Sequence, residues 1–288
     1  MLKERVLSAI VLIALVLCVL FLFRPFYFAL ALGGVLVLGI WEWTQFARMK
    51  SSLLRICFAA FCSAFIFLWI YTERHYLNAG RVFEHYLVPV LLLSLLWWVI
   101  ALILVINYPQ SAKVWGKNHL LQFFFALFTL VPFIAAVLRL RLEDYAQNSS
   151  HGLFLLLYVF VLVWAADSGA YFAGRAFGKH KLAPKVSPGK TWQGVLGGLL
   201  TAAILAFVFI QFNVESLLGS RNLYAFIGLS VLTVAVSILG DLTESMFKRE
   251  SGIKDSSQLI PGHGGILDRI DSLTAAVPVF TYFYFFIL

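Results

Sequence analysis

The chain has 288 residues, 61% of them hydrophobic and only 12% charged, with 22 Lys and Arg against 14 Asp and Glu for a formal net charge of +8. A soluble domain carries about a quarter charged residues, and a mean hydropathy of +0.90 excludes one here. The composition is that of an integral membrane protein, for which no nucleic-acid partner is expected.

A helical crossing of the hydrocarbon layer needs about 20 apolar residues. By that measure nine candidate spans follow one another at 6–23, 26–43, 56–71, 87–108, 120–138, 153–172, 195–212, 223–239 and 273–288. Their apolar runs are continuous, which favours helices over the alternating segments of a barrel. The expected fold is therefore all-α, a polytopic bundle of about nine transmembrane helices. We divide it into an N-terminal region, 1–150, holding about five spans, and a C-terminal transmembrane region, 151–288, with loops at 173–194 and 240–272 that are expected to carry the chemistry on the cytosolic side. Lys3 and Arg5 ahead of the first run resemble the start of a signal peptide. No small-residue cleavage site follows, and Arg24-Pro25 leads straight into the next span, so the first span is expected to be retained.

Basic residues set the orientation. With the N-terminus in the cytosol, Arg24, Arg74, Arg81, Arg139, Arg141 and Arg221 fall on the far side and the other 16 of the 22 on the cytosolic side, as the positive-inside rule expects. Nine crossings then put Leu288 opposite the N-terminus. Cys18, Cys57 and Cys62 lie within spans and are expected as small buried apolar residues, with no metal or disulfide pattern among them. Trp41, Trp43, Trp97, Trp98 and Tyr108 are accounted for by interfacial belts and lipid-facing packing. Gly33, Gly34 and Gly39 lighten the second span. Gly194 and Gly198 form a GxxxG, which suits close helix packing inside the chain or across a homodimer. No internal repeat of the kind that builds transporters is apparent.

Beyond residue 150 the polar content concentrates. Asp167 sits in an otherwise apolar span, where a carboxylate costs about 2.5–3.5 kcal/mol on insertion scales. It is expected to pair with Arg175 or Lys190, or to contact a ligand or metal. The following stretch contains SPGKT, 187–191, which invites comparison with a nucleotide-binding P-loop. That motif requires a glycine where this chain has Pro184, and a strand ahead of it, for which no sheet is expected. What survives is a phosphate-compatible set at the start of a helix: Ser187, Gly189, Lys190 and Thr191.

The second polar stretch, 240–272, holds Asp241, Glu244, Glu250, Asp255, Asp268 and Asp271. Asp241, Glu244, Ser245 and Lys248 share one helix face, and Asp268 and Asp271 share another. If the two helix ends meet, Asp241 and Asp268 repel unless a cation lies between them, and carboxylate oxygens suit magnesium. The alternative is salt bridging to Lys248, Arg249 and Arg269. Gly262, Gly264 and Gly265 around His263 permit close approach of backbone to a ligand, at an entropic cost.

SMFKRESGIKDSSQLIPGHGGILDRID, 245–271, closely resembles the signature of the phosphatidate cytidylyltransferases, or CDP-diacylglycerol synthases, and GDLTES and SPGKTW resemble their flanking motifs. The resemblance covers about the C-terminal half. Many relatives carry Glu where this chain has Gln193, so no acidic role is carried over there. The resemblance implies transfer of CMP from CTP to phosphatidic acid, giving CDP-diacylglycerol and pyrophosphate, with magnesium and at the cytosolic face of a bacterial inner membrane. On that reading Asp241 and Asp268 hold magnesium. Asp167 completes a second cation site or binds the nucleotide, and Asp271 is an additional ligand or holds Arg269. Lys248, Arg249 and Arg269 offset phosphate charge, Ser245 and His263 orient oxygens, and Ser187, Gly189, Lys190, Thr191, Gly264 and Gly265 contact substrate. A cavity open to the cytosol and sideways to the bilayer is expected. The other readings are a cation-coupled transporter using Asp167, Asp241 and Asp268, and a non-catalytic lipid-binding scaffold.

Overall fold

The computed structural model describes residues 2–82, 86–213 and 222–288, the side chains of 2–6 and 213 excepted. Arg221 and the side chains of Lys3 and Arg5, three of the basic residues used for orientation, lie outside the described residues. In chain order the elements are α1 (Leu2–Leu22), α2 (Pro25–Phe46), α3 (Ser52–Thr72), α4 (Arg74–Asn78), α5 (Leu87–Ile106), α6 (Ala112–Trp115), α7 (His119–Arg141), α8 (His151–Phe177), β1 (Lys181–Ala183), β2 (Ser187–Thr191), α9 (Trp192–Asn213), α10 (Leu223–Ser251) and α11 (Leu267–Phe286).

Among the described residues, α2, α3, α5, α7, α8, α9 and α10 are the seven helices long and apolar enough to cross a membrane. The chain is a polytopic, almost wholly helical membrane protein. Two more long helices, α1 and α11, coincide with the expected first and ninth spans. α11 opens with Asp268, Arg269 and Asp271, which lowers its apolarity. Local chemistry fixes several starts: Pro25 begins α2, and the side chains of Ser51, Asn118 and Asn222 accept N–H groups in the first turns of α3, α7 and α10.

α10 and α11 pack against each other at the centre, flanked by α5, α7, α8 and α9. The GxxxG glycines work inside the chain. A Cβ on Gly194 would lie 2.9 Å from the Ala170 carbonyl, and one on Gly198 3.1 Å from that of Ala166, so α9 presses directly onto α8. Gly33 admits Ile70 of α3, and Gly39 admits Leu130 of α7 and Leu267 of α11.

Three of the tryptophans assigned to belts and lipid contact are buried instead: Trp43, Trp97 and Trp98. Trp43 joins Phe46, Trp115, Phe125 and Phe247 in an aromatic cluster linking α2, α6, α7 and α10. The Trp97 indole donates to Thr129 at 3.0 Å. Aromatic bulk packed against neighbouring rings makes them interior residues, and of the three only the Trp97 N–H finds a partner among the described residues. The cysteines correct the opposite way. Cys18 and Cys57 are exposed and Cys62 half-buried, because α1 and α3 present much of their surface to lipid, where a thiol costs little.

Candidate active site

Four elements converge at one end of the bundle: the end of α8, the β1–β2 hairpin, the last turns of α10 and the first turn of α11. The hairpin corrects the expectation that no sheet was available. β1 and β2 pair antiparallel, Lys181 with Thr191 and Ala183 with Ser187, with a bulge between. SPGKT is thus a strand running into α9 rather than the first turn of a helix. Ser187 opens the strand, Gly189 faces open space, and the buried Thr191 accepts the Gly194 N–H at 3.2 Å, capping α9. Gln193 braces the hairpin from behind: its Oε1 accepts the N–H groups of Lys179 and His180 at 3.1 and 3.2 Å, and its Nε2 lies 3.0 Å from His180 Nδ1.

Lys190 reaches from β2 to α10, where its Nζ lies 2.8 Å from Asp241 Oδ2. Ser245, one turn on, donates to Asp241 Oδ1 at 3.2 Å. The two charged side chains are 25% and 32% exposed, so the pair is reachable from outside. The Asp241 charge also acts on Asp167 of α8, whose side chain is exposed, and on Asp271 of α11. α11 comes so near because Gly240, beside Asp241, has no side chain; a Cβ there would run into the Asp271 carbonyl.

The second lysine is enclosed. Lys248 Nζ lies 2.7 Å from both Glu244 Oε2 and Asp268 Oδ1, and the three side chains are 16%, 6% and 5% exposed. Asp268 Oδ2 accepts from the Ser256 N–H, the Ser256 hydroxyl and the Gly265 N–H, each at 2.8 Å. The glycine-rich turn makes this possible. Pro261 and Gly262 form a corner in which the His263 N–H reaches the Ile260 carbonyl at 2.9 Å, with Gly262 at φ 74° as a type II turn demands. Gly264, at φ 81°, leaves room for Asp268; a Cβ there would sit 2.5 Å from Oδ2.

The structure brings Asp241, Lys190, Ser245, Asp167 and Asp271 into one group, and Asp268, Lys248 and Glu244 into another a turn away. Of the salt bridging to Lys248, Arg249 and Arg269, the described residues show the Lys248 part, with Glu244 and Asp268, while Asp241 pairs with Lys190 instead. The remaining basic residues line the outside. Arg249 is exposed and ties α10 to the hairpin through the Val186 carbonyl at 3.2 Å, and Arg269 is exposed on α11. His263 Nδ1 hydrogen-bonds Ser8 of α1 at 2.7 Å. Under the acids a cavity of about 20 Å³, lined by Glu244, Asp271, Trp43 and Trp98, has room for about one water. A larger apolar cavity of about 340 Å³ lies between α2, α3 and α7, lined by Trp43, Phe58 and Phe123 among others.

Sequence reading missed Glu42, a fully buried carboxylate on α2 bound to Ser256, Ser257 and the start of α11. The signal was there: an acid in span 26–43 is the same anomaly that singled out Asp167.

Hard carboxylate oxygens around Asp241 suit a divalent cation. Among the described residues no three His, Cys, Asp or Glu side chains lie close enough to hold one alone. A cation at this place would need water or other non-protein oxygens for the rest of its shell, as magnesium usually does.

This helical membrane scaffold with a polar corner is matched by the family model of the cytidylyltransferase family over residues 3–287, and the chain belongs to that family. Its relatives include the phosphatidate cytidylyltransferase of Haemophilus influenzae, 71% identical over 288 residues and 100% of both chains. That of Pseudomonas aeruginosa is 45% identical over 280 residues, covering 97% of this chain and 96% of the relative. One from Staphylococcus aureus is 39% identical over 172 residues, 59% of this chain and 62% of the relative.

Proposed function

We propose that this protein is a phosphatidate cytidylyltransferase. A phosphate oxygen of phosphatidic acid attacks the α-phosphorus of CTP, the bond to the β-phosphate breaks, and CDP-diacylglycerol and pyrophosphate result, a step of phospholipid biosynthesis. The observation that carries the chemistry is the accessible Lys190–Asp241 pair, set among further carboxylates at the end of a membrane-embedded bundle. Family membership leaves the cation-coupled transporter without support.

A phosphate monoester is largely dianionic near neutral pH, its second pKa being about 6, so the nucleophile needs no strong base. It needs relief from repulsion and correct alignment. Lys190 would exchange Asp241 for a nucleotide phosphate, with Ser187 and the open backbone at Gly189 beside it. Arg249 keeps guanidinium N–H groups free of the Val186 carbonyl, and Arg269 is exposed one helix away; both would face the departing pyrophosphate. Ser245 holds the Asp241 carboxylate by Oδ1, and Oδ2 would be open to a cation once Lys190 turns to the phosphate.

Magnesium is the proposed cofactor, held by Asp241 and Asp271 with Asp167 alongside, where a second cation would also fit. When bound it neutralises charge on the phosphates as they meet. Asp268, the other expected ligand, already has both oxygens engaged, so we assign it to anchoring Lys248 and the GHGG turn. We further propose nine crossings, with the N-terminus and the site on the cytosolic side of a bacterial inner membrane and Leu288 opposite.

Purified protein in detergent–lipid micelles, given labelled CTP, phosphatidic acid and Mg²⁺, is expected to release pyrophosphate and move the label into lipid. Pyrophosphate release without phosphatidic acid, or no release at all, would refute the reading.

A further inference from the structure

Glu42 lies near the C-terminal end of α2, more than two hundred residues from the signature, and is 0% exposed. Its Oε1 accepts from the Ser257 hydroxyl at 2.6 Å and the Ile266 N–H at 2.9 Å. Its Oε2 accepts from the Leu267 N–H at 2.7 Å and lies 3.0 Å from the Ser256 hydroxyl, whose single proton it shares with Asp268 Oδ2. Ile266 and Leu267 begin α11, a helix with no side-chain cap of its own at Ile266. The carboxylate therefore does from another helix what an N-cap does locally: it takes up free N–H groups and faces the positive end of the helix dipole. Gly265 is part of the fit, since a Cβ there would collide with both Ser256 Oγ and Glu42 Oε1.

The consequences reach the catalytic corner in two steps. Ser256 is shared between Glu42 and Asp268, and Asp268 holds Lys248. The start of α11, fixed by Glu42, sets where Asp271 stands relative to Asp241 a turn later. A buried carboxylate with four donors is worth keeping only where its geometry is needed, because a well-packed apolar residue would otherwise be as stable.

We propose that Glu42 is a positioning residue for the transfer reaction: it locks the 256–267 loop and the first turn of α11 so that Asp271 faces the substrates in register with Asp241. The inference rests on the transferase reading. It also makes the helices before residue 150 contributors to the active site.

The test combines steady-state kinetics with hydrogen exchange on full-length protein in micelles. Glu42→Gln keeps the volume but exchanges one acceptor oxygen for a donor. Turnover is expected to fall about tenfold or more, the range for outer-shell partners, with KM for CTP changed less than about threefold on the same ground. Amide protection should fall at 256–267 while α7 and α8 stay protected. Wild-type turnover at 266–267 protection lost or kept, or protection lost throughout the bundle, would overturn the proposal. Should Glu42→Gln fail to insert, Ser257→Ala removes one donor and leaves the carboxylate. Reduced turnover with faster exchange at Ile266 supports the lock, and unchanged values for both sink it. Wild-type protein that releases no pyrophosphate would refute the transferase reading and with it the catalytic role of Glu42, whereas active wild-type protein with an unaffected variant would refute the positioning role alone.

Discussion

Lys190 and Lys248 each face a carboxylate at 2.7–2.8 Å, yet their settings differ. Lys190 and Asp241 are a quarter to a third exposed, one on a short hairpin and the other on a long helix, and each Asp241 oxygen has a single partner, Ser245 or Lys190. Lys248 is held between Glu244 and Asp268, both nearly sealed, and Asp268 is further fixed by three donors from the 256–265 loop. An accessible pair can exchange partners when a polyanion arrives, at the modest cost of a screened interaction. An enclosed one cannot, because parting it strands a charge in a poorly hydrated site. Identical chemistry thus divides between handling substrate and holding shape.

Substitutions at the two aspartates test this division most directly. Asp241→Asn should lower pyrophosphate release by about 10²-fold or more, comparable to losing a charge-stabilising group elsewhere, with the thermal midpoint in detergent unchanged. A large drop in the midpoint would mean that Asp241 is also architectural. Asp268→Asn should act first on stability, costing about 1–3 kcal/mol by leaving the Ser256 or Gly265 N–H without an acceptor while Glu244 still faces Lys248, with faster exchange across 255–268 and activity lost in proportion to folded protein. Full stability with abolished turnover would move Asp268 to the substrate side of the comparison. Gln193→Glu should change least. It keeps the acceptor for Lys179 and His180 and loses one contact at a half-buried position, so turnover should remain within about twofold, as for substitutions away from a buried network. A larger fall would show that the hairpin places Lys190 more strictly than its exposure suggests.

Much of this was legible from residues alone, for definite reasons. Hydropathy marks a crossing helix whether it faces lipid or protein, so the long helices fell close to the expected spans. The i, i+4 contacts Ser245–Asp241 and Lys248–Glu244 follow from helical period. Hydropathy does not say which side of a helix is inside. That is why Trp97 and Cys57 changed places relative to expectation: both are compatible with lipid, and only packing decides. The β1–β2 hairpin was missed because three- and five-residue strands rich in Lys, Pro and Gly carry no alternating apolar pattern. Which acid faces which depends on the crossing of α10 and α11 at Gly240, a tertiary fact that helical spacing cannot supply. Glu42 escaped because attention went to dense polar stretches, while its four donors lie on the far side of the chain.

The separation between Glu42 and those donors has a consequence for biogenesis. Its partners follow 214 to 225 residues later, and at about 5–20 residues per second of synthesis the ribosome takes roughly 10–45 s to supply them. Throughout that interval α2 must carry an acidic group without the donors that surround it in the finished fold. Only when the last helix enters does the carboxylate find its permanent neighbours, so an incompletely translated chain can occupy the membrane without ever becoming competent.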